Sequence, residues 1–277
     1  MDRMLKISIS IVVYKPNLDV LSRALSSLHE AIKVAEAKYS IQTILYVVDN
    51  SCDPVWPKKI LAVMQNSFPD QHVIRSKLIV SPENGGYGKA NNLAINESES
   101  NYHLVMNPDV YLDSDAIVNA IDYLELDKSV GLLVPDVRGE DGERHFLCKR
   151  SPTLLIMFLR GFGPKWLKDV FWRKLAAFEM KDKNYECEID GVEFPTGCFM
   201  FFRNLSLQEL KGFDTDFFMY LEDADIGRRM LETAAVRYVP KVRVIHRWAR
   251  GTHNNWYLRW VTIKSAFIYW KKWGGLF

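Results

Sequence analysis

The stretch Gly212–Arg229, GFDTDFFMYLEDADIGRR, decides how the rest of this 277-residue sequence is interpreted. Four aromatic side chains in its first half are expected to enter a core: Phe213, Phe217, Phe218 and Tyr220. An acidic run follows at once and opens a helical pattern that extends to about Thr233. Carboxylates in the first turn of a helix are stabilised as anions by the unpaired backbone N–H groups. This placement suits a general base near neutral pH, or a ligand that faces a cation.

The three acids of this run are not equivalent. Asp225 stands three and four residues before Arg228 and Arg229, a spacing that predicts a local ion pair. Glu222 and Asp223 have no such partner nearby, so they are the candidates for chemistry. From these residues alone, Asp223 remains open between a catalytic carboxylate and an ordinary one.

The pattern GFDxxFFMYxED resembles the signature of family 2 glycosyltransferases and, within that family, of bacterial rhamnosyltransferases that build O-antigen and related surface polysaccharides. Matching segments extend from about residue 7 to residue 273. The resemblance implies that Asp223 deprotonates the acceptor hydroxyl, with Glu222 beside it as the second member of the catalytic pair. It also implies an α/β GT-A-like fold, with a mostly parallel twisted sheet flanked by helices and followed by a C-terminal amphipathic helix.

Composition is that of a soluble globular protein, with 48% hydrophobic and 25% charged residues. The four cysteines show no C-x-x-C spacing, which favours a reducing cytoplasm over a disulfide framework. The N-terminal residues lack a signal peptide's apolar stretch, and no run reaches the roughly 18 apolar residues of a spanning helix. We therefore expect a chain that does not cross a membrane by itself.

The C-terminal segment differs in charge from the rest of the chain. Residues 241–277 hold eight Lys or Arg and no Asp or Glu, although the whole chain is nearly balanced at 36 basic and 34 acidic residues. A helix predicted over Asn255–Trp273 places five large apolar side chains on one face: Trp256, Trp260, Ile263, Phe267 and Trp270. Basic residues flank them: Arg259, Lys264, Lys271 and Lys272. The pattern fits packing on the body, or attachment to an anionic membrane surface.

The first half of the chain reads as alternating strands and helices. Ile7–Val13 predicts a buried parallel strand, Asn17 can cap a helix over Leu18–Lys38, and Thr43–Val48 predicts the next strand. The carboxyl ends of such strands form one rim, where ligands bind, so Tyr14 and Asp49 are expected there. Asp49 alone fits a turn former, but the resemblance implies that it accepts the N3–H of a uracil or thymine ring.

A glycine-rich segment, Asn84–Asn92 or NGGYGKANN, follows the third predicted strand, Leu78–Val80. Glycines allow backbone N–H groups to approach a ligand closely, and the helix start that follows favours phosphate. The spacing matches neither a P-loop nor a dinucleotide-binding motif. It resembles the family's donor-binding segment, which implies donor contacts for Asn84, Gly86 and Lys89.

Two further rim segments predict a cation site. The strand His103–Met106 ends in Asn107-Pro108-Asp109, where Asn107 stands in place of the first acid of the usual Asp-x-Asp, as in the rhamnosyltransferase branch. This segment alone also fits a turn, but the resemblance makes Asp109 a ligand of Mg²⁺ or Mn²⁺ beside the donor diphosphate.

The last predicted strand, Val242–His246, adds the second ligand. A lone His at a strand end is usually structural, but in the family the matching residue completes the cation site, which implies this role for His246. Arg247 and Arg250 follow it and are suited to phosphate.

Four further segments have recognisable sequence patterns. Residues 136–150 are polar and turn-rich, whereas Thr153–Phe178 mixes large apolar and basic residues and fits either core or a membrane-interface patch. Gly197, in the segment Val192–Arg203, is expected to permit close backbone approach at the reaction centre. Ser114 is expected to cap a helix over Ser114–Asp127.

These observations predict one enzyme domain: a nucleotide-sugar half (1–113), an acceptor half (114–253) and a basic aromatic helix (254–277). The predicted reaction is inverting transfer of a sugar, foremost L-rhamnose from dTDP-rhamnose, to a lipid-diphosphate-linked saccharide on the inner face of the cytoplasmic membrane. A UDP-sugar donor and a non-catalytic saccharide-binding module remain alternatives. No nucleic-acid partner is expected, and a sugar-nucleotide pyrophosphorylase would need a G-x-G-x-R loop that is absent after Val13.

Overall fold

A computed structural model describes residues 4–68, 73–161, 163–247 and 256–274. Its centre is one nine-stranded sheet with the order β3-β2-β1-β4-β8-β6-β9-β5, with β7 paired to β9. The strands are β1 Leu5–Val13, β2 Ile41–Asp49, β3 Ile74–Val80, β4 Tyr102–Met106, β5 Val110–Leu112, β6 Val130–Arg138, β7 Ile189–Asp190, β8 Phe199–Arg203 and β9 Ala235–His246. The helices are α1 Leu18–Glu36, α2 Val55–Ser67, α3 Tyr87–Glu97, α4 Ala116–Leu126, α5 Leu154–Gly161, α6 Lys165–Val170, α7 Trp172–Phe178, α8 Asn204–Glu209, α9 Glu222–Leu231 and α10 Trp256–Trp273.

The first four strands of the sheet are parallel, as the sequence predicted. In register, Val13 of β1 lies opposite Asp49 of β2, and Asp49 lies opposite Val80 of β3. These three strands therefore end at one level, and the segments that follow them share a rim. Asn17 caps α1 as expected, because its side-chain oxygen accepts the N–H groups of Asp19 and Val20.

The second half of the sheet mixes directions. Strand β8 pairs antiparallel with both β4 and β6, whereas β6 and β9 are parallel. Strand β5 pairs antiparallel with β9, so that Val110 lies opposite His246. Two segments distant in sequence, 107–109 and 246–247, are thereby brought side by side.

A buried polar network anchors α3 to the sheet. The Ser8 hydroxyl lies 2.6 Å from His103 Nδ1, and the Ser10 hydroxyl lies 3.1 Å from His103 Nε2. The Ser10 hydroxyl also donates to Asn91 Oδ1 of α3, at 2.7 Å. Burial lowers the pKa of His103 to about 3, so the ring is neutral at physiological pH and serves this network as a hydrogen-bonding group.

Several elements differ from the sequence-based expectations. Helix α2 and strands β5 and β7 were not predicted, and the strand expected over Val242–His246 is the end of a longer strand, β9. The expected cap Ser114 is wrong: Asp115 occupies the cap position of α4 and makes no side-chain capping bond. The segment Thr153–Phe178 forms three short helices, which the mixed pattern of apolar and basic residues did not indicate.

Helix α10 packs on the body through one face and exposes the other. Tyr269 is buried in a cluster with Phe217, Leu221 and Ala224. Four of the five predicted stripe residues point to solvent: Trp256, Trp260, Ile263 and Phe267. Packing of these four stripe residues on the body is therefore wrong, whereas attachment of the stripe to a membrane surface stays a prediction. Among the helices of the described ranges, none combines the length and apolar character needed to cross a membrane.

Lys272 was expected to flank the exposed stripe but belongs to the packed face. Its ammonium lies 2.6 Å from Asp214 Oδ2 and 2.8 Å from Oδ1 of the fully buried Asp225. Asp225 also accepts Arg229 Nε at 2.7 Å, which confirms the predicted local ion pair, and Trp273 Nε1 at 2.9 Å. The last turn of α10 is therefore fastened to the helix that carries Glu222 and Asp223.

We predict that Lys272→Met lowers the free energy of unfolding by about 1–3 kcal/mol, because a buried carboxylate loses one of its donors. Lys271→Met is the matched control: it removes the same charge one residue earlier, at an exposed position, and should change stability by less than about 0.5 kcal/mol. Urea unfolding of both variants measures the difference. Equal losses would show that the two ion pairs of Lys272 contribute nothing specific.

Candidate active site

The acidic pair is presented by an unusual backbone segment. Tyr220 and Leu221 have φ angles of 70° and 67°, in the left-handed region that non-glycine residues seldom adopt. Each such residue costs about 1–3 kcal/mol unless the surroundings hold it. Leu221 is held by the buried cluster of Phe217, Ala224 and Tyr269. This turn sets the point where α9 begins, at Glu222.

Asp223 is fixed by backbone donors on both oxygens. Its Oδ2 accepts the N–H of Gly197 at 3.0 Å, and its Oδ1 accepts the N–H of Ala224 at 3.0 Å. The carbonyl of Gly197 in turn accepts the Tyr87 hydroxyl at 2.8 Å. The expected close backbone approach at Gly197 is therefore present. Space does not demand glycine there, since an added Cβ would meet Asp223 at an ordinary 3.5 Å.

Glu222 and Asp223 differ in their electrostatics. Burial and the charge of Asp223 raise the pKa of Glu222 well above its usual range, and its Oε2 has no hydrogen-bond partner among the described residues. Burial also raises the pKa of Asp223, but Lys149 and the N–H donors of Gly197 and Ala224 oppose that rise. Glu222 is therefore the more readily protonated of the two carboxyl groups, and Asp223 is the one better stabilised as an anion.

Lys149 is a site residue that the sequence did not reveal. It lies at an isolated bridge, where its N–H and C=O pair with the C=O and N–H of Phe194. Its ammonium lies 4.5 Å from the centre of the Phe194 ring and 3.5 Å from Thr196 Oγ1. Burial lowers the pKa of Lys149, and Asp223 counteracts this. Lys149 is the single lysine of the polar 136–150 segment, and only the tertiary fold shows that it faces the site.

The glycine-rich turn contacts the acidic segment. Gly86 has a φ of 90°, and a Cβ on it would lie 1.8 Å from the carbonyl oxygen of Phe218. That oxygen accepts the N–H of Tyr87, the first residue of α3, at 3.0 Å. Gly86 is therefore required by its contact with the loop before α9. The Tyr87 N–H, expected to be available to phosphate, is already used.

The other two predicted donor contacts of the glycine-rich segment, Asn84 and Lys89, have local partners. Asn84 Oδ1 accepts the N–H of Gly86 at 3.2 Å and the side-chain amide of Asn50 at 2.9 Å, which fixes the turn. Lys89 Nζ lies 2.5 Å from Glu83 Oε1 in an exposed ion pair. Exposed pairs of this kind contribute little stability, so the Lys89 ammonium can exchange its partner.

Asp49 and Tyr14, which the sequence predicts to contact the nucleotide, lie at the rim. Asp49 is only 1% exposed; its Oδ1 accepts the N–H of Ser51 at 2.9 Å, and its Oδ2 has no hydrogen-bond partner among the described residues. A buried carboxylate oxygen without a donor is costly, and an N–H of a ligand can satisfy it. Tyr14 is 56% exposed at the end of the neighbouring strand.

Asp109 and His246 meet as the sequence predicted. His246 Nε2 lies 3.3 Å from Asp109 Oδ1, and the carbonyl of Asp109 accepts the N–H of Arg247 at 3.0 Å. The side chain of Arg247 pairs with Glu140, at 3.6 Å between Nε and Oε2. The backbone N–H of Asn107 donates to the carbonyl of Cys198, the neighbour of Gly197. Arg250 lies outside the described residues.

This donor set suits a cation that is completed by its substrate. No group of three or more His, Cys, Asp or Glu with metal-binding geometry occurs within the described ranges. Mg²⁺ commonly binds one or two protein ligands and takes its remaining oxygens from phosphates and water. One carboxylate and one imidazole nitrogen, 3.3 Å apart at the rim, fit that use.

Cys198 shows how close the two groups of residues lie. Burial raises the pKa of its thiol to about 12. The negative charges of Asp109 and Asp223 raise this pKa further, whereas the positive charge of Lys149 lowers it. Asp109, Lys149 and Asp223 therefore all lie close enough to Cys198 for their charges to act on its thiol.

Comparisons with known proteins agree with this arrangement. The family model "Glycosyl transferase family 2" matches residues 8–209, well over half of the chain. "N-acetylglucosaminyl-diphospho-decaprenol L-rhamnosyltransferase" of Mycobacterium tuberculosis is 26% identical over 189 residues, which cover 64% of this chain and 60% of that protein. "Rhamnosyltransferase WbbL" of Escherichia coli K12 is 27% identical over 200 residues, covering 66% of this chain and 69% of that protein.

Solved structures show the same fold at low identity. The mannosyltransferase PcManGT from Pyrobaculum calidifontis, in complex with GDP-Man and Mn²⁺, superposes with a TM-score of 0.61 at 16% identity, covering 93% of this chain and 61% of that one. Residues 1–349 of S. aureus TarS in complex with UDP give a TM-score of 0.55 at 17% identity, covering 88% and 61%. The GT-A-like fold and the family match lead to one conclusion: the chain belongs to glycosyltransferase family 2 and is similar to bacterial rhamnosyltransferases.

Proposed function

We propose that this protein transfers L-rhamnose from dTDP-rhamnose to a saccharide carried on a lipid diphosphate, with inversion at the anomeric carbon. The observation that carries the proposal is the fixed position of the Asp223 carboxylate. It is fixed by the N–H of Gly197 and lies near the Lys149 ammonium, and the carbonyl of Cys198, which follows Gly197, accepts the N–H of Asn107 beside the proposed cation site. The names of the two relatives support the sugar and, for the mycobacterial one, the lipid-linked acceptor.

Asp223 is the general base in this scheme. It accepts the proton of the acceptor hydroxyl while the oxygen forms its bond to the anomeric carbon and the bond to the nucleotide diphosphate breaks. Glu222 holds its own proton, so it does not compete for the one that is transferred. Partial burial raises the basicity of Asp223, which favours proton transfer near neutral pH.

The nucleotide is proposed to bind along the rim, in the first half of the chain. Asp49 Oδ2 would accept the N3–H of the base, which thymine and uracil share, so a UDP-sugar remains the alternative donor. Tyr14, Asn84, Gly86, Lys89 and Asn107 would surround the nucleotide, with Arg247 and Arg250 beside the diphosphate. A divalent cation held by Asp109 and His246 would offset the charge of the departing diphosphate.

The acceptor half is proposed to work at a membrane surface. The exposed aromatic face of α10 is flanked by exposed Lys264 and Lys271, and α10 is fastened to α9 beside the site. A basic residue near an anionic leaflet contributes about 1 kcal/mol, which supports reversible attachment. The inner face of the cytoplasmic membrane is the proposed location.

The reaction is tested by incubating the protein with a polyprenyl-diphosphate-linked saccharide and either dTDP-rhamnose or a UDP-sugar, with Mg²⁺ or Mn²⁺. We expect transfer from dTDP-rhamnose in the unmodified protein. In Asp223→Asn, donor binding measured by thermal shift should remain, while turnover falls about 10²- to 10⁴-fold because the base is lost. Near-normal turnover in Asp223→Asn would exclude this residue as the base. Donor binding without transfer in either protein would favour a non-catalytic binding module.

The pH dependence of transfer tests Lys149. Since its positive charge holds the pKa of Asp223 down, Lys149→Met should raise that pKa further and move the acidic limb of the kcat profile to higher pH. Lys149→Arg should keep the limb near its original position. A uniform loss of rate at all pH values, without displacement of the limb, would show that Lys149 has only a packing role.

The cation site is tested by calorimetry of dTDP binding with and without chelator. Asp109→Ala and His246→Ala should each weaken binding in the presence of Mg²⁺ or Mn²⁺ and leave the chelated value nearly unchanged, because each removes one proposed ligand. The site is wrong if dTDP binds equally in all proteins and is insensitive to chelator.

Membrane attachment is tested by sedimentation with vesicles of anionic phosphatidylglycerol. We expect binding at low salt and a large loss at about 1 M salt, because the Debye length falls from about 8 Å at physiological ionic strength to about 3 Å. Lys264→Glu with Lys271→Glu should abolish binding at an unchanged melting temperature. Lys58→Glu with Lys59→Glu, an equal charge reversal on exposed α2 positions, should leave it intact. Binding that ignores lipid charge would contradict the attachment.

A further inference from the structure

A cleft that is separate from the nucleotide rim lies in the helical segment between β6 and β7. Helices α5–α7 and the residues that follow them enclose a cleft of about 920 Å³. Its lining combines basic side chains with an apolar floor of Leu175, Ala176 and Ala177. The charged and aromatic residues that the argument uses are Arg160, Lys168, Trp172, Arg173, Glu179 and Lys181. None of them belongs to the nucleotide rim described above.

The cleft has an excess of positive charge. Glu179, one of its two acids, accepts Arg160 Nη1 at 2.5 Å and Lys181 Nζ at 2.7 Å. The other, Asp182, pairs with Arg150 at 2.7 Å. Lys168 and Arg173 therefore line the cleft without an ion-pair partner among the described residues, and two such cations suit an oligoanion.

Exposed apolar side chains adjoin these cations. Trp166 is 66% exposed, Val170 67% and Trp172 59%. Met157 of α5 packs in the same cluster as Tyr269 of α10, so α5 lies against the helix whose outer face carries the exposed aromatic stripe. A ligand in the cleft can thus extend an apolar portion along a surface that is already apolar.

A row of ring contacts joins the cleft to the catalytic carboxylate. The Arg160 guanidinium lies 5.4 Å from the centre of the Phe178 ring, and that ring lies 6.3 Å from the ring of Phe194. The Lys149 ammonium lies on Phe194, at 4.5 Å from its centre. Lys149 is the residue whose charge acts on Asp223. Through Phe178 and Met157, the helices of the cleft therefore pack towards the cluster of Leu221 and Ala224 that flanks Asp223, on the acceptor half of the chain.

We propose that the α5–α7 cleft binds the diphosphate of a polyprenyl-diphosphate-linked acceptor. Lys168 and Arg173 contact the diphosphate, the prenyl chain lies along Trp166 and Val170, and the saccharide extends towards Asp223. This inference rests on the proposed function for the class of acceptor. It adds a site that is separate from the donor diphosphate, which the proposed function places at Asp109 and His246.

The test measures binding of farnesyl diphosphate, as a short prenyl diphosphate, by calorimetry in saturating dTDP. We expect Lys168→Glu with Arg173→Glu to weaken binding at least about tenfold. Lys165→Glu with Lys174→Glu is the matched control: the same charge is reversed on the same two helices at positions outside the cleft, and binding should change less than about twofold. Melting temperatures of both double variants verify that they are folded.

Farnesol and inorganic pyrophosphate separate the two parts of the probe, and both should bind more weakly than farnesyl diphosphate. The proposal is overturned if the two double variants lose binding equally, if pyrophosphate binds as tightly as the probe, or if dTDP displaces the probe. Failure of rhamnose transfer with probe binding retained would reject the proposed donor while the cleft assignment stands. Transfer that is unaffected by Lys168→Glu with Arg173→Glu, combined with unchanged probe binding, would reject the cleft alone.

Discussion

The backbone N–H and C=O of Gly197 connect the two helix starts at the candidate site. Its N–H donates to Asp223 at the start of α9, and its carbonyl accepts the hydroxyl of Tyr87 at the start of α3. One residue thus joins the helix after the glycine-rich turn to the helix that carries the proposed base. The same two helix starts meet again where the carbonyl of Phe218 accepts the N–H of Tyr87. The Phe218–Tyr87 bond joins two backbone groups and fixes the spacing of the segments, whereas the Gly197 bonds hold the side chains of Asp223 and Tyr87 in place.

Contacts with α10 explain why the chain tolerates backbone strain immediately before α9. Two successive non-glycine residues, Tyr220 and Leu221, adopt left-handed conformations there. The buried cluster beneath them includes Tyr269 of α10, and α10 is also bound to Asp225 through Lys272 and Trp273. The C-terminal helix therefore supports the geometry of the base in addition to presenting an aromatic face. Strain at a functional site is stable only when its surroundings determine the conformation in this way.

Burial makes the two neighbouring carboxyl groups, Glu222 and Asp223, differ in how readily they ionise. Like charges so close together in a desolvated place do not both ionise readily, so the better-solvated group carries the charge. Asp223 has two N–H donors and a nearby ammonium, whereas one Glu222 oxygen has no partner among the described residues. The environment thus distinguishes the two acids and agrees with the role that the resemblance implies for Asp223.

Much of the sheet and most of the rim could be predicted from sequence, because buried parallel strands leave long apolar runs and their ends carry polar residues. Ile7–Val13 and Thr43–Val48 fell inside β1 and β2, and Asp109 and His246 were expected to meet before their strands were known to pair. Roles that depend on tertiary contacts could not be read this way. Nothing near Lys149 in sequence indicates that it faces Asp223, and Lys272 resembles the exposed Lys271 until the packing of α10 is seen.

Gly86 illustrates the same limit. The motif indicated a glycine for access to a ligand, whereas the structure requires one because the Phe218 carbonyl occupies the space of a Cβ.

The central claim is that one carboxylate, Asp223, activates the acceptor for direct displacement at the anomeric carbon. The anomeric configuration of the product, determined by NMR of the isolated glycoside, tests it most directly. A single displacement predicts a configuration opposite to that of the donor sugar. Retention of the donor configuration would require a second displacement through a glycosyl-enzyme intermediate and would contradict the role assigned to Asp223.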